Sequence, residues 1–99
     1  MTHLAHLGFR SSLEEQMRNP DATIRAAAAA FLGAQPDPEL SSMLGQALLD
    51  ERDPSAVGAI VRALKRRSDA KASLWLHRAA VLHADEETRT LARQAILYG

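Results

Sequence analysis

Apolar residues recur along the chain at intervals of three and four, and each run stops at a short polar segment that contains an aspartate. Leu4, Leu7, Leu13 and Met17, with Ala5 and Phe9 beside them, trace the first run from His3 to Met17. Ile24, Ala27, Ala28, Phe31 and Leu32 make the inner face of the second, and Leu40, Met43, Leu44, Ala47 and Leu48 the third. Val57, Ile60, Val61 and Leu64 follow, then the most apolar stretch, Ala72 to Leu82, and last Leu91, Ala92, Ala95, Ile96 and Tyr98. This is the period of one helical face. No stretch alternates β-branched and polar residues as a strand would, so the pattern predicts six helices in three hairpins.

The breaks have local causes. Pro20 disfavours helical geometry at Asn19 and offers no amide hydrogen, which ends the first helix, and Asn19 or Asp21 can cap the second. Gly33 suits a C-terminal cap. Asp37-Pro38 and Asp53-Pro54 each place a capping carboxylate before a proline at the first helical position. Ser68 and Asp69 offer the next cap. Lys65, Arg66 and Arg67 close one helix and Asp85, Glu86 and Glu87 open another, as the helix dipole favours. Five consecutive alanines from Ala26 to Ala30 remove side-chain bulk and predict close helix packing. The helix over Ala72 to Leu82 is expected to be central or covered by a partner.

Aligning Ile24-Arg25 with Thr88-Arg89 also superposes Asp21 on Asp85, Ala28 on Ala92 and Leu32 on Ile96, an offset of 64 residues. Val57-Gly58 falls between them, 33 residues after the first pair and 31 before the last. A near-constant period of this size predicts a helical array with units at about 3–34, 35–67 and 68–98. Leu13, Met17, Asn19-Pro20-Asp21, Ile24-Arg25, Ala28, Leu32-Gly33, Asp37-Pro38-Glu39, Leu44, Leu48 and Asp50 together resemble the HEAT-like family, in particular its short repeats of the phycobilisome-lyase type. The resemblance covers nearly the whole chain and departs at Gly58, where the family favours arginine, and at Thr88, where it favours valine or isoleucine. It implies a single all-α domain, an α-solenoid of about three hairpins. It also implies that Arg25 and Arg89, matching the family's arginine, bond turn carboxylates such as Asp21, Asp50 or Asp53. The tetratricopeptide pattern is less similar, because Trp75 lacks the leucine-glycine and tyrosine that should follow it.

With 99 residues, 46% of them hydrophobic, the chain has material for one core. Twelve acidic and twelve basic residues cancel, so no whole-chain field draws nucleic acid or an anionic membrane. The chain has no cysteine, which excludes disulfides and thiolate metal sites and suits a reducing, cytoplasmic setting. Met1 to Arg10 lacks the basic-then-apolar order of a leader peptide, and no apolar run approaches the roughly 18 residues of a membrane helix.

Catalytic chemistry finds little support. His3 and His6 share a helical face but lack further ligands, and His77 and His83 read as a helix-surface and a turn residue. The carboxylate pairs include Glu14-Glu15, Asp50-Glu51 and Glu86-Glu87, and nearly all such carboxylates lie in turns or at helix starts, where capping and the helix dipole explain them. Gly33, Gly45 and Gly58 form no phosphate loop, and no serine sits in a nucleophile elbow. No enzyme activity, cofactor or metal is therefore expected. Two binding features remain. Arg62, Lys65, Arg66, Arg67 and Lys71 form a basic edge suited to an acidic protein or a phosphate backbone, although the helix dipole also accounts for them. Leu74, Trp75 and Leu76 cannot all face one core, which makes Trp75 a candidate interface anchor. The sequence reading is a protein-interaction or scaffold module whose partner is another protein, a second copy included. Nucleic-acid binding through the basic edge and an accessory subunit of an enzyme such as a lyase are the alternatives. The last helix keeps Leu91, Ile96, Leu97 and Tyr98, a face for another chain, for further repeats or for ordinary core contacts.

Overall fold

The computed structural model describes residues 12–67 and 69–98, and these are all-helical, with six helices and no strand among them. Residues 12–17 belong to α1, and α2 (Ala22–Gly33), α3 (Glu39–Asp50), α4 (Pro54–Arg67), α5 (Ala70–Leu82) and α6 (Glu86–Leu97) follow. Most of the aspartates before helices cap them, but α3 differs from expectation: Pro38 is its cap and not its first residue, no side chain caps it, and Asp37, one residue earlier, accepts from Glu39 N–H at 3.0 Å. Asp21 accepts from Thr23 N–H, Asp69 from Ala72 N–H and Asp85 from Thr88 N–H, each satisfying a donor that a helix start leaves without a partner. Asp53 does the same at α4, accepting from Ser55 N–H at 2.9 Å.

The centre of the molecule is α4 and not α5. It packs on α2, α3, α5 and α6, and Ala56, Val57, Ala59, Ile60, Val61, Ala63 and Leu64 are all buried. Its small and branched side chains wrap more than half of the helix surface, so four neighbours can approach. In α5 the large residues are spread around the helix: Leu76 is buried, while Leu74, Val81 and Leu82 are exposed. Leu32, Leu44, Leu48, Ile60 and Leu64 form the dry interior. Helices two apart in the chain lie beside one another, α2 on α4, α3 on α5 and α4 on α6, and within hairpins α3 meets α4 and α5 meets α6.

The contact of α2 with α4 revises two sequence expectations. Ala28, Ala29, Leu32 and Gly33 face inward, whereas Ile24 and Phe31 are exposed. The small face of α2 turns in because it allows the backbones to approach, and that gain outweighs burying the larger stripe. Gly33 is the last residue of α2 and the cap is Ala34, in ordinary right-handed geometry. What requires glycine at 33 is proximity: a Cβ there would lie 2.9 Å from Ala63 Cα and Cβ. Gly45 does the same for α3 and α5, since its Cβ would lie 2.1 Å from Trp75 Cγ.

The turns repeat a bond. Arg25 donates from Nη1 to the Asn19 carbonyl, six residues back, and Arg89 donates from Nη1 to the His83 carbonyl, also six back, each at 2.6 Å. Gly58, at the matching place in α4, has no such side chain. Glu51 holds that turn instead, accepting from Arg52 N–H and Asp53 N–H, and Arg52 Nη1 donates to the Leu49 and Glu51 carbonyls.

The three glycines in the described helices therefore differ in sign on substitution by alanine. Gly33→Ala and Gly45→Ala force backbone or indole to shift and should cost about 1–3 kcal/mol. Gly58→Ala meets only the movable end of Arg62, 3.2 Å away, and should stabilise by about 0.5–1 kcal/mol through helix propensity. Urea unfolding of the three variants measures the contrast.

Candidate functional site

The five cations of the basic edge separate in three dimensions. Arg67 ends α4 with its side chain only 3% exposed. Its guanidinium donates to the carbonyls of Leu32, at 2.8 Å, and of Gln35 and Asp37, and to Ser41 Oγ. Ser41 Oγ donates to Asp69 at 2.7 Å, and that carboxylate lies 3.6 Å from Arg67 Nε. Arg67 is thus an internal tie between α2, the 34–38 connection, α3 and the start of α5, and not a partner-facing cation as the sequence suggested. Leu32 and Asp37 already accept the N–H groups of Gln35 and Leu40, and a guanidinium with five donors is suited to bond these carbonyls a second time and to collect that of Gln35. Lys71 is exposed near the start of α5, on a different helix from the remaining three cations.

Arg62, Lys65 and Arg66 stay together on the outer face of α4 and rim a groove of about 610 Å³. Its floor is apolar, formed by the half-buried Ala95 and Ile96 over the buried Leu64 and Leu76, with Ser73 at one side. No carboxylate lines it, and Arg62 and Arg66 form no hydrogen bond or ion pair with any described residue. The periodicity of α4 makes this possible: Val57, Ile60, Val61 and Leu64 point to the core, which leaves 62, 65 and 66 on the opposite side, and the end of α6 closes the groove from beside. The floor was not recognised in the sequence as part of a site. Ala95 and Ile96 read there as core positions, and only the proximity of α6 to α4 brings them under the cations.

Trp75 is not a free anchor. It sits half-buried against the backbone of Gly45, and Arg78 covers its other face at 4.8 Å from the ring centre, a cation–π contact. Of the three consecutive large residues, Leu74 is the exposed one and Leu76 is buried in the core.

At the far end of the helices a second network joins the three Asp-containing turns. Arg25 forms a two-pronged pair with Glu51, at 2.8 and 2.9 Å, rather than with Asp21, Asp50 or Asp53. His83 is a turn residue as expected, yet it is buried: Nε2 contacts the Glu51 carbonyl at 3.1 Å, and Asp85 N–H donates to Nδ1 at 3.0 Å. Since a carbonyl only accepts, these partners assign the neutral ring with its proton on Nε2. Beside this network lies a larger groove of about 1010 Å³ that includes Met17, Arg25, Met43 and Glu51. Of the charges that line it, Arg25 and Glu51 are paired with each other and Asp53 caps α4.

His77 is exposed and contacts only the Ser73 carbonyl, one turn back. His3 and His6 lie outside the described residues, and among the described residues no group of three histidine or carboxylate side chains is placed to hold a metal ion. No described helix is long and apolar enough to cross a membrane. No protein-family model matches the chain, and neither do any curated proteins or solved structures.

Two outcomes follow from the separation of charges. Arg67→Leu removes the buried cation that ties the carbonyls of Leu32, Gln35 and Asp37 to Ser41 and Asp69 and should cost about 3–5 kcal/mol. Arg62→Glu and Arg66→Glu, on the surface, should each stay within about 0.5 kcal/mol of the parent protein in urea unfolding. Acid titration reads the carboxylates. Burial opposes the charge on Glu51, but Arg25 and the N–H groups of Asp53 and Arg52 outweigh it and hold its carboxyl below the ordinary value. Burial likewise opposes the charge on Asp69, and the Ala72 N–H, the Ser41 hydroxyl and Arg67 outweigh it. A lowered folded-state pKa contributes stability that is complete above the unfolded value near 4 and is lost as pH falls through the folded value. Stability should therefore hold from about pH 7 to pH 5 and decline below about pH 4. Glu51→Gln should cost about 1.5–3 kcal/mol at neutral pH and flatten the decline.

Proposed function

We propose that the chain is a non-enzymatic protein-interaction module, a HEAT-like solenoid of three stacked hairpins, whose docking surface is the cation-rimmed groove between α4, α5 and the end of α6. The observation that carries this reading is the groove itself: Arg62, Lys65 and Arg66 over an apolar floor, with no carboxylate among its lining residues. Side-by-side packing of α2 on α4, α4 on α6 and α3 on α5, and the shared Arg25–Asn19 and Arg89–His83 bonds, support the stacked arrangement. In such a stack each hairpin has too little apolar surface to fold alone, and the joint core makes a rigid presenting surface.

The chemistry of the groove selects a partner segment with one apolar face and flanking carboxylates. Apolar side chains cover Ala95 and Ile96 and remove water from around the guanidinium groups, which strengthens the ion pairs at the rim. A phosphate backbone is the weaker fit. With Arg67 internal and Lys71 outside the groove lining, at most three cations remain to neutralise phosphates, and an apolar floor gives a phosphodiester chain nothing to contact.

The test is fluorescence titration with a labelled helical peptide carrying a leucine stripe flanked by glutamates, beside its lysine-substituted counterpart and a single-stranded oligonucleotide. The glutamate peptide should bind, and the paired substitution Arg62→Glu with Arg66→Glu should weaken it at least about tenfold, the loss of two ion pairs at a partly desolvated rim. Lys71→Glu should leave binding unchanged. Equal binding of both peptides, or tighter and steeply salt-dependent binding of the oligonucleotide, would defeat the reading.

A further inference from the structure

The far corner of the α5–α6 hairpin has the composition that the groove calls for. Val81 and Leu82, at the end of α5, are 75% and 67% exposed, although they are among the most apolar side chains in the protein. Three residues later the chain presents Asp85, Glu86 and Glu87, all exposed. The Asp85 carboxylate is used on Thr88, but those of Glu86 and Glu87 have no hydrogen-bond or ion-pair partner among the described residues. One corner thus combines two large apolar side chains with free carboxylates. The groove combines an apolar floor with free guanidinium groups.

We infer that the groove of one copy receives the Val81–Leu82 and Glu86–Glu87 corner of a second copy, so that the protein pairs with itself through the surface proposed above. The inference rests on that surface being a docking site and names its occupant. Charge and apolarity match on both sides: Glu86 and Glu87 meet Arg62 and Arg66, and Val81 and Leu82 meet the floor at Ala95 and Ile96.

The placement of the two patches excludes pairing within one molecule. The groove is formed by the beginning of α5 and the end of α6, whereas the corner is formed by the end of α5 and the beginning of α6. They are at opposite ends of a hairpin whose 13-residue first helix is about 20 Å long. Two hairpins laid antiparallel bring each corner to the other's groove in one step, a two-fold arrangement that uses both patches and closes. Opposite charges across such a contact also speed encounter, so the pair forms most readily at low salt.

The decisive experiment is charge exchange, read by sedimentation velocity of the full chain over a concentration series at about 0.02 M and about 0.5 M salt. The parent protein should dimerise at low salt with a dissociation constant raised about tenfold or more at high salt. A groove variant, Arg62→Glu with Arg66→Glu, and a corner variant, Glu86→Lys with Glu87→Lys, should each be monomeric under the same conditions. Mixed in equal amounts they should form a one-to-one pair, because the lysines of one then face the glutamates of the other. Val81→Asn with Leu82→Asn, at exposed positions that leave folding intact by circular dichroism, should abolish the dimer without changing net charge. A parent protein that stays monomeric throughout, a dimer that survives either charge-reversed pair, or failure of the mixture to associate would overturn the inference. The glutamate-peptide titration separates this from failure of the groove reading: peptide binding by a monomeric protein overturns self-pairing alone, and absence of both overturns the two together.

Discussion

The guanidinium of Arg67 is the constraint on which the rest of the structure depends. It gathers carbonyls from the end of α2 and from the following connection, together with Ser41 on α3 and Asp69 at the start of α5. A buried cation is tolerated only when its donors are engaged, and here the acceptors are the carbonyls of Leu32, Gln35 and Asp37 together with Ser41 Oγ. The tie therefore offsets the desolvation of its own guanidinium. It also fixes where α3 and α5 begin relative to the end of α2.

A matching tie operates at the opposite end of the helices. Arg25 reaches from α2 to Glu51, Glu51 organises its own turn, and His83 bonds the Glu51 carbonyl from the turn before α6. Between the two ties the helices are held by shape. Gly33 against Ala63 and Gly45 against Trp75 are contacts in which one added methyl group has no room. Polar networks at both ends and small-residue contacts between them fix the spacing of the hairpins, and with it the width of the groove between α4 and α6.

That division explains why the basic edge splits. A guanidinium within reach of the carbonyls that follow α2 is drawn in, while Arg62, Lys65 and Arg66, on the far side of α4, are exposed. The same logic governs the aromatic residue. Trp75 has a glycine backbone to lie on and an arginine to cover it, so it contributes to the contact of α3 with α5, and the exposed apolar surface of α5 falls to Leu74, Val81 and Leu82 instead.

The number and limits of the helices were legible from the chain because they follow from local causes: the three-and-four spacing of apolar residues, and aspartates that bond amides two or three residues away. The capping roles of Asp21, Asp53, Asp69 and Asp85 needed no tertiary information. What could not be read was which residues meet across the chain. Leucine spacing marks an inner face, but it does not say that α2 turns its alanines inward and leaves Ile24 and Phe31 outside, because that choice depends on how closely α4 approaches. Charge spacing marks Arg62 to Lys71 as one cluster along the chain, yet the carbonyls that take Arg67 lie 30 to 35 residues away. Sequence determined the elements, since their causes act within a turn or two of helix; only the tertiary structure decided the site, since a groove is a distance between elements.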